Sequence, residues 1–129
     1  SCTDCHTSHQ IIKGTDSKSS VFKLNIPNTC GKCHSEIQKE FSESIHGQLV
    51  ATGNGDAPSC TNCHGEHNIL KTDDPNSPVA FQNVSREICS PCHESMKLSE
   101  KYGIAGNRYK TFSQSYLQHY CYPHLFLFL

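Results

Sequence analysis

The sequence has no Trp, a single Met, and only 35% hydrophobic residues in 129 positions. That length suits one small domain, yet the apolar side chains are too few for an ordinary core. No apolar run approaches the ~18 residues that a membrane span needs, and the final run Leu125-Phe126-Leu127-Phe128-Leu129 is far too short. Charge of one sign is also lacking. Eleven Lys and Arg stand against 12 Asp and Glu, a formal net charge of −1, with no basic cluster. This argues against a nucleic-acid partner and against an anionic membrane surface. No leader segment is visible: the chain opens at Ser1-Cys2 and reads as a mature or shortened chain.

What the sequence does have is 9 Cys and 9 His. Eight of the cysteines fall in four copies of Cys-x-x-Cys-His: Cys2/Cys5/His6, Cys30/Cys33/His34, Cys60/Cys63/His64 and Cys89/Cys92/His93. On composition alone the pattern is expected roughly 0.04 times in such a chain. Two thiols about one helical turn apart face the same way, spaced to take the two vinyl groups of a haem. The imidazole that follows is placed to bind its iron. Zinc ribbons pair Cys-x-x-Cys at separations of about 12–20 residues and need no His after each pair. Here 24 to 26 residues separate successive pairs and the His is present every time. Disulfide frameworks do not call for the His either. The expected cofactors are four haem c. Their flat apolar surfaces would fill the middle that the side chains cannot, and their propionates would bring the net charge to about −5. Such attachment takes place outside the cytoplasmic membrane, so the expected location is periplasmic or extracellular.

The motifs are organised as a duplication. Residues 2–12 read CTDCHTSHQII and residues 60–70 read CTNCHGEHNIL, an offset of 58. The match runs on through Asp16/Asp74, Ser19/Ser77, Val21/Val79 and Asn25/Asn83 and, after one extra residue, reaches Cys30/Cys89. The chain therefore reads as a single domain over 1–129, made of two two-haem modules at about 1–58 and 59–129. The fold class expected is a small haem-packed fold, mostly coil with a few short α-helices and little or no β.

Residues 13–29 and 71–88, rich in Gly, Asp, Ser and Pro, read as extended segments wrapping between the sites. Residues 30–46 predict a helix, with Ile37, Phe41 and Ile45 as one stripe, a haem-packing face, and Gly47 as the stop. Residues 85–101 predict its counterpart, with Ser85 as cap and Ile88, Cys92 and Met96 aligned. Met96 matches Ile37 of the first module and reads as packing. A third helix is expected at 107–120, from the spacing of Tyr109, Phe112, Tyr116 and Tyr120. Residues 48–59 read as a Gly/Pro linker.

Two axial imidazoles close an iron site for electron transfer, whereas an open position admits a substrate. His9 and His67 trail their motifs by three residues, in register with each other. They lie on the proximal side of their own haems and are expected to ligate neighbouring ones.

The string CHGEHNI, together with the upstream Phe41-x-x-Ser44-Ile45-His46-Gly47, resembles the multihaem c-type cytochromes that combine Cys-x-x-Cys-His-Gly-x-His with Ser-x-His-Gly elements. The resemblance covers about residues 1–118. That group includes tetrahaem carriers, parts of multihaem reductases and subunits of extracellular cytochrome filaments. It implies distal-ligand roles for His9, His46 and His67. The second module departs from the pattern, with Leu117 where the duplication predicts the ligand. His119, close by, is the first substitute; His124, another chain, or an iron left open are the alternatives. Cys121 has no partner Cys at the right spacing and reads as a free thiol or a poorly placed tail residue rather than part of a fifth haem site.

The function expected is electron transfer through four mostly bis-His haems, not enzymatic catalysis. Redox partner proteins or extracellular acceptors would be its partners. Self-association into a filament with an inter-subunit haem ligand is the polymeric form of the same reading. The alternative is a piece of a multihaem reductase acting on a small oxyanion at an open haem, although no motif variant marks such a site.

Overall fold

The computed structural model describes residues 1–104. The expected helix at 107–120, the proposed ligand His119, and His124 and Cys121 lie outside them. The described chain is built of short helices joined by turns, with no β-strand. It divides into two compact units, Ser1–Asn68 and a second beginning at Ile69. The sequence repeat changes over at 58/59, whereas packing keeps residues 59–68 with the first unit.

In the first unit, α1 (Cys2–His6) is followed by a run of turns and a 3-10 turn (Lys23–Asn25). Then come α2 (Ile26–Gly31), α3 (Ser35–Glu43), α4 (Ile45–Ala51) and α5 (Cys60–His64). Both α1 and α5 span a whole Cys-x-x-Cys-His, and the same device starts each. Ser59 N–H donates to Asn62 Oδ1 at 2.9 Å, and Ser1 and Asp4 form the matching capping box at α1. Helix α2 carries Pro27 in its first turn, where the fixed φ is suited, and packs against α1, α3 and α5. The buried apolar side chains are few: Ile26, Val50 and Ala57. Buried Thr29 ties the turn run to α2, its hydroxyl donating to the Ser20 carbonyl at 2.6 Å.

The segment 13–29 is not extended as expected. Successive i→i+3 bonds join Lys13 to Asp16, Asp16 to Ser19, Ser19 to Phe22 and Phe22 to Asn25, at 2.8–3.1 Å. Asp16 Oδ1 accepts from Lys18 N–H at 2.9 Å, and Asn25 Nδ2 donates to the carbonyls of Ser17 and Ser19 at 2.9 and 2.8 Å. Side chains that bond backbone nearby favour turns over strand. The Asp and Asn therefore fold this polar stretch into a ladder of turns.

The expected continuous helix at 30–46 is broken. Its Ile37-Phe41-Ile45 stripe is split at Ser44, which leaves the helical region (φ −74°, ψ 158°) and caps α4. Ser44 Oγ accepts from Gly47 N–H at 3.1 Å and donates to the Phe41 carbonyl at 2.6 Å. Gly47 is buried inside α4 and is not a stop, so the linker begins only after Ala51.

The second unit repeats the turn ladder: Lys71–Asp74, Asp74–Ser77, Ser77–Ala80 and Ala80–Asn83, at 2.8–3.1 Å. Asp74 Oδ1 accepts from Asn76 N–H at 2.8 Å, and Asn83 Nδ2 donates to the carbonyls of Pro75 and Ser77, both at 2.9 Å. Two of its own residues, Ser77 and Ala80, are buried. Here too the extended reading gives way to turns. Ser85 is not a helix cap, because helical backbone already runs from α6 (Phe81–Val84) through a π turn (Ser85–Cys89) into α7 (Ser90–His93). A separate helix, α8 (Met96–Tyr102), follows and ends on left-handed Gly103.

Candidate functional site

The four motifs all lie on helical turns. Cys2–His6 and Cys60–His64 are α1 and α5. Cys30 ends in α2, and the turn continues as Cys33 and His34 N–H both donate to the Cys30 carbonyl, at 3.1 and 3.0 Å. Cys89 closes the π turn that runs into α7, which carries Cys92 and His93. Residues three apart on a helical turn share a face, so each pair of thiols is presented together. Cys2, Cys5, Cys33, Cys89 and Cys92 are exposed, while Cys30, Cys60 and Cys63 are half-buried.

The chain beyond the motif His turns back the same way twice in the first unit. Thr7 N–H bonds the Thr3 carbonyl at 3.1 Å, and Gly65 N–H bonds the Thr61 carbonyl at 3.0 Å. Each of these residues then takes a positive φ with an extended ψ: 64° and 171° for Thr7, 76° and −170° for Gly65. The reversals lead to His9 and His67.

His67 comes to rest against His6. Their ring centroids are 6.1 Å apart and their planes differ by 11°. The first motif and the histidine trailing the third motif are thus brought face to face across 61 residues of sequence. His9 lies beside a cavity of about 430 Å³ formed with Thr7, Gln10, Ile12, Lys18 and Ser20. His46 sits half-buried in the first turn of α4, and His34 opens α3.

Helix α2 against α5 brings thiols of two motifs together. Burial, then the neighbouring Cys60, pushes the Cys30 thiol up to about 11. Burial also raises Cys60, an effect that the neighbouring Cys30 opposes. Burial, then Cys92, raises Cys89. Among the described residues no three His, Cys, Asp or Glu side chains form a group that could hold a metal ion.

Large apolar side chains stand exposed close to the motifs: Ile11 at 73%, Ile69 at 61%, Ile37 at 60% and Met96 at 78%. Single exposed apolar residues are ordinary. Here they stand against a described core of only Ile26, Val50, Ala57 and Ala80. No helix among the described residues is long and apolar enough to cross a membrane.

Sequence reasoning expected a helical turn between the thiols of each pair, but not the separate short helices α1 and α5. It missed the Thr7 backbone, whose signal was the Thr7/Gly65 mismatch between the repeats, and the Cys30–Cys60 contact, which no spacing announces. No family model, curated protein or solved structure matches this chain.

Proposed function

We propose that this chain is an exported electron-transfer protein carrying four haem c groups on a duplicated two-haem module, acting in the periplasm or outside the cell. Eight cysteines tether the groups through thioethers, and His6, His34, His64 and His93 provide the proximal ligands. His9, His46 and His67 are distal ligands, and His119 is the candidate for the fourth. The haems supply iron centres that each take up and release one electron. The polypeptide fixes their spacing, closes the axial positions and covers part of their edges.

The observation that carries this reading is the His6–His67 pair. Metal–imidazole bonds of about 2.0–2.1 Å on both sides, plus about 1.1 Å from each nitrogen to its ring centre, give about 6.3 Å between centroids. The observed 6.1 Å between centroids is close to that separation, and ligation would further require both rings to turn their Nε2 atoms, edge-on, toward the iron. An offset ring stack spans the same range, so the ligand field decides between them. The matching turn ladders, with Asp16 and Asn25 bonded as Asp74 and Asn83 are, support the duplication.

The test is the spectrum of the haem-loaded protein and of His67→Ala. The parent should be low-spin with little carbon monoxide binding. The variant should turn one haem in four high-spin and open to carbon monoxide. A variant with the parent's low-spin content refutes the His6–His67 pairing, and extensive carbon monoxide binding by the parent refutes the carrier reading.

A further inference from the structure

Thr7 is the one non-glycine residue among those described with a positive φ. Its φ of 64° with ψ of 171° lies in a region that is essentially reserved for glycine, and a β-branched side chain is among the worst suited to it. The equivalent residue after the third motif, Gly65, holds nearly the same angles at no steric cost. A strained backbone persists only where its surroundings enforce it. Here the enforcing bonds are visible. Thr7 N–H closes α1 on the Thr3 carbonyl at 3.1 Å, and the Thr7 hydroxyl donates to the Gln10 carbonyl at 2.9 Å. The second bond spans His9, tying the residue before the Ser8-His9 turn to the residue after it. Glycine at position 65 has no hydroxyl and needs none.

We infer that Thr7 is a positioning residue: its side-chain bond to Gln10 holds a glycine-type reversal that presents His9 as Gly65 presents His67. The inference rests on the electron-transfer reading, in which His9 is a distal ligand. It goes beyond that reading by naming the residue that makes the posture possible without glycine. Valine has the shape of threonine without the hydroxyl. It keeps the strain, loses the tether, and leaves the 7–10 segment free to relax toward extended backbone, carrying His9 away. Glycine removes the strain and leaves the reversal accessible. Serine keeps the hydroxyl with less crowding.

The experiment uses the full chain with its haems attached, as parent, Thr7→Val, Thr7→Gly, Thr7→Ser and His9→Ala. Haem number is read by intact mass, and low-spin content by electron paramagnetic resonance and the carbon monoxide difference spectrum. The inference predicts four haems in every variant. Thr7→Val and His9→Ala should each convert about one haem in four to a high-spin, carbon monoxide-binding form, while Thr7→Gly and Thr7→Ser keep the parent's low-spin content. Parent-like Thr7→Val overturns the positioning role and leaves the electron-transfer reading standing. Thr7→Ser failing alongside Thr7→Val also overturns it, since the hydroxyl would then not be the determinant. A parent mass without haem overturns the electron-transfer reading, and the positioning role with it.

Discussion

Replacing Gly47 by Ala should damage the first unit more than its small size suggests. A Cβ on Gly47 would stand 1.9 Å from the Phe41 carbonyl oxygen, 2.7 Å from its carbon and 2.8 Å from Ser42 Cα. All three are backbone atoms at the end of α3, so no side chain can swing aside. Relief requires the start of α4 to withdraw by about 1.5 Å, which breaks the Ser44 cap that bonds Gly47 N–H at 3.1 Å. Overpacking of this kind costs about 1–3 kcal/mol, or roughly a 5- to 150-fold fall in the folded-to-unfolded ratio. At about 4–8 °C per kcal/mol for a chain near this size, thermal unfolding followed by circular dichroism should show a drop of about 4–24 °C. Gly55 is the control: a Cβ there meets nothing within 4 Å, and Gly55→Ala should stay within about 0.5 kcal/mol of the parent. The clash also displaces His46, next in the chain, so the haem-loaded Gly47→Ala protein should gain carbon monoxide binding. A Gly47→Ala midpoint equal to that of Gly55→Ala would refute the close-approach argument.

Asn25→Ala and Asn83→Ala each remove two side-chain bonds to turn carbonyls. Each should lower stability by about 1–2 kcal/mol in denaturant titrations; an effect confined to one of them would contradict the equivalence of the ladders. In the haem-free chain, Cys30 is held as a neutral thiol above its ordinary 9.0, to about 11, first by burial and then by Cys60. The folded state therefore favours the protonated form. That stabilisation is complete below pH 9 and is lost as pH rises through about 11. Iodoacetamide labelling of Cys30 should stay slow until that alkaline range and speed up in Cys60→Ser; labelling that already rises near pH 9 and is unchanged in Cys60→Ser would show the contact to be absent. His67→Ala should open one iron, as set out above.

A helical turn under each motif was expected from the spacing of its two thiols, whereas the starts at Ser1 and Ser59 came from the structure. Register matched His9 with His67 in the sequence; the structure adds that the His67 ring lies against His6, a contact that the spacing does not specify. Periodicity misread the middle of the first unit. The stripe of Ile37, Phe41 and Ile45 looks continuous, but Ser44 offers a hydroxyl to Gly47 N–H and the Phe41 carbonyl and so divides the helix. Gly47 looked like a helix stop because close backbone approach leaves the same signature as an end. The segments 13–29 and 71–88 were read as extended because turn-forming residues mark loops without giving their shape. Asp16, Asn25 and their counterparts set that shape through bonds that composition does not reveal.

The central claim is that the eight motif cysteines hold four haems. Its most direct test is the intact mass of the exported protein after acid extraction has removed anything not covalently bound. The account predicts four additions of about 0.6 kDa each, lost one at a time as each cysteine pair is replaced by serine. A protein with free or disulfide-linked motif cysteines and no added mass, recovered from cells that attach haem to a control cytochrome, would contradict it.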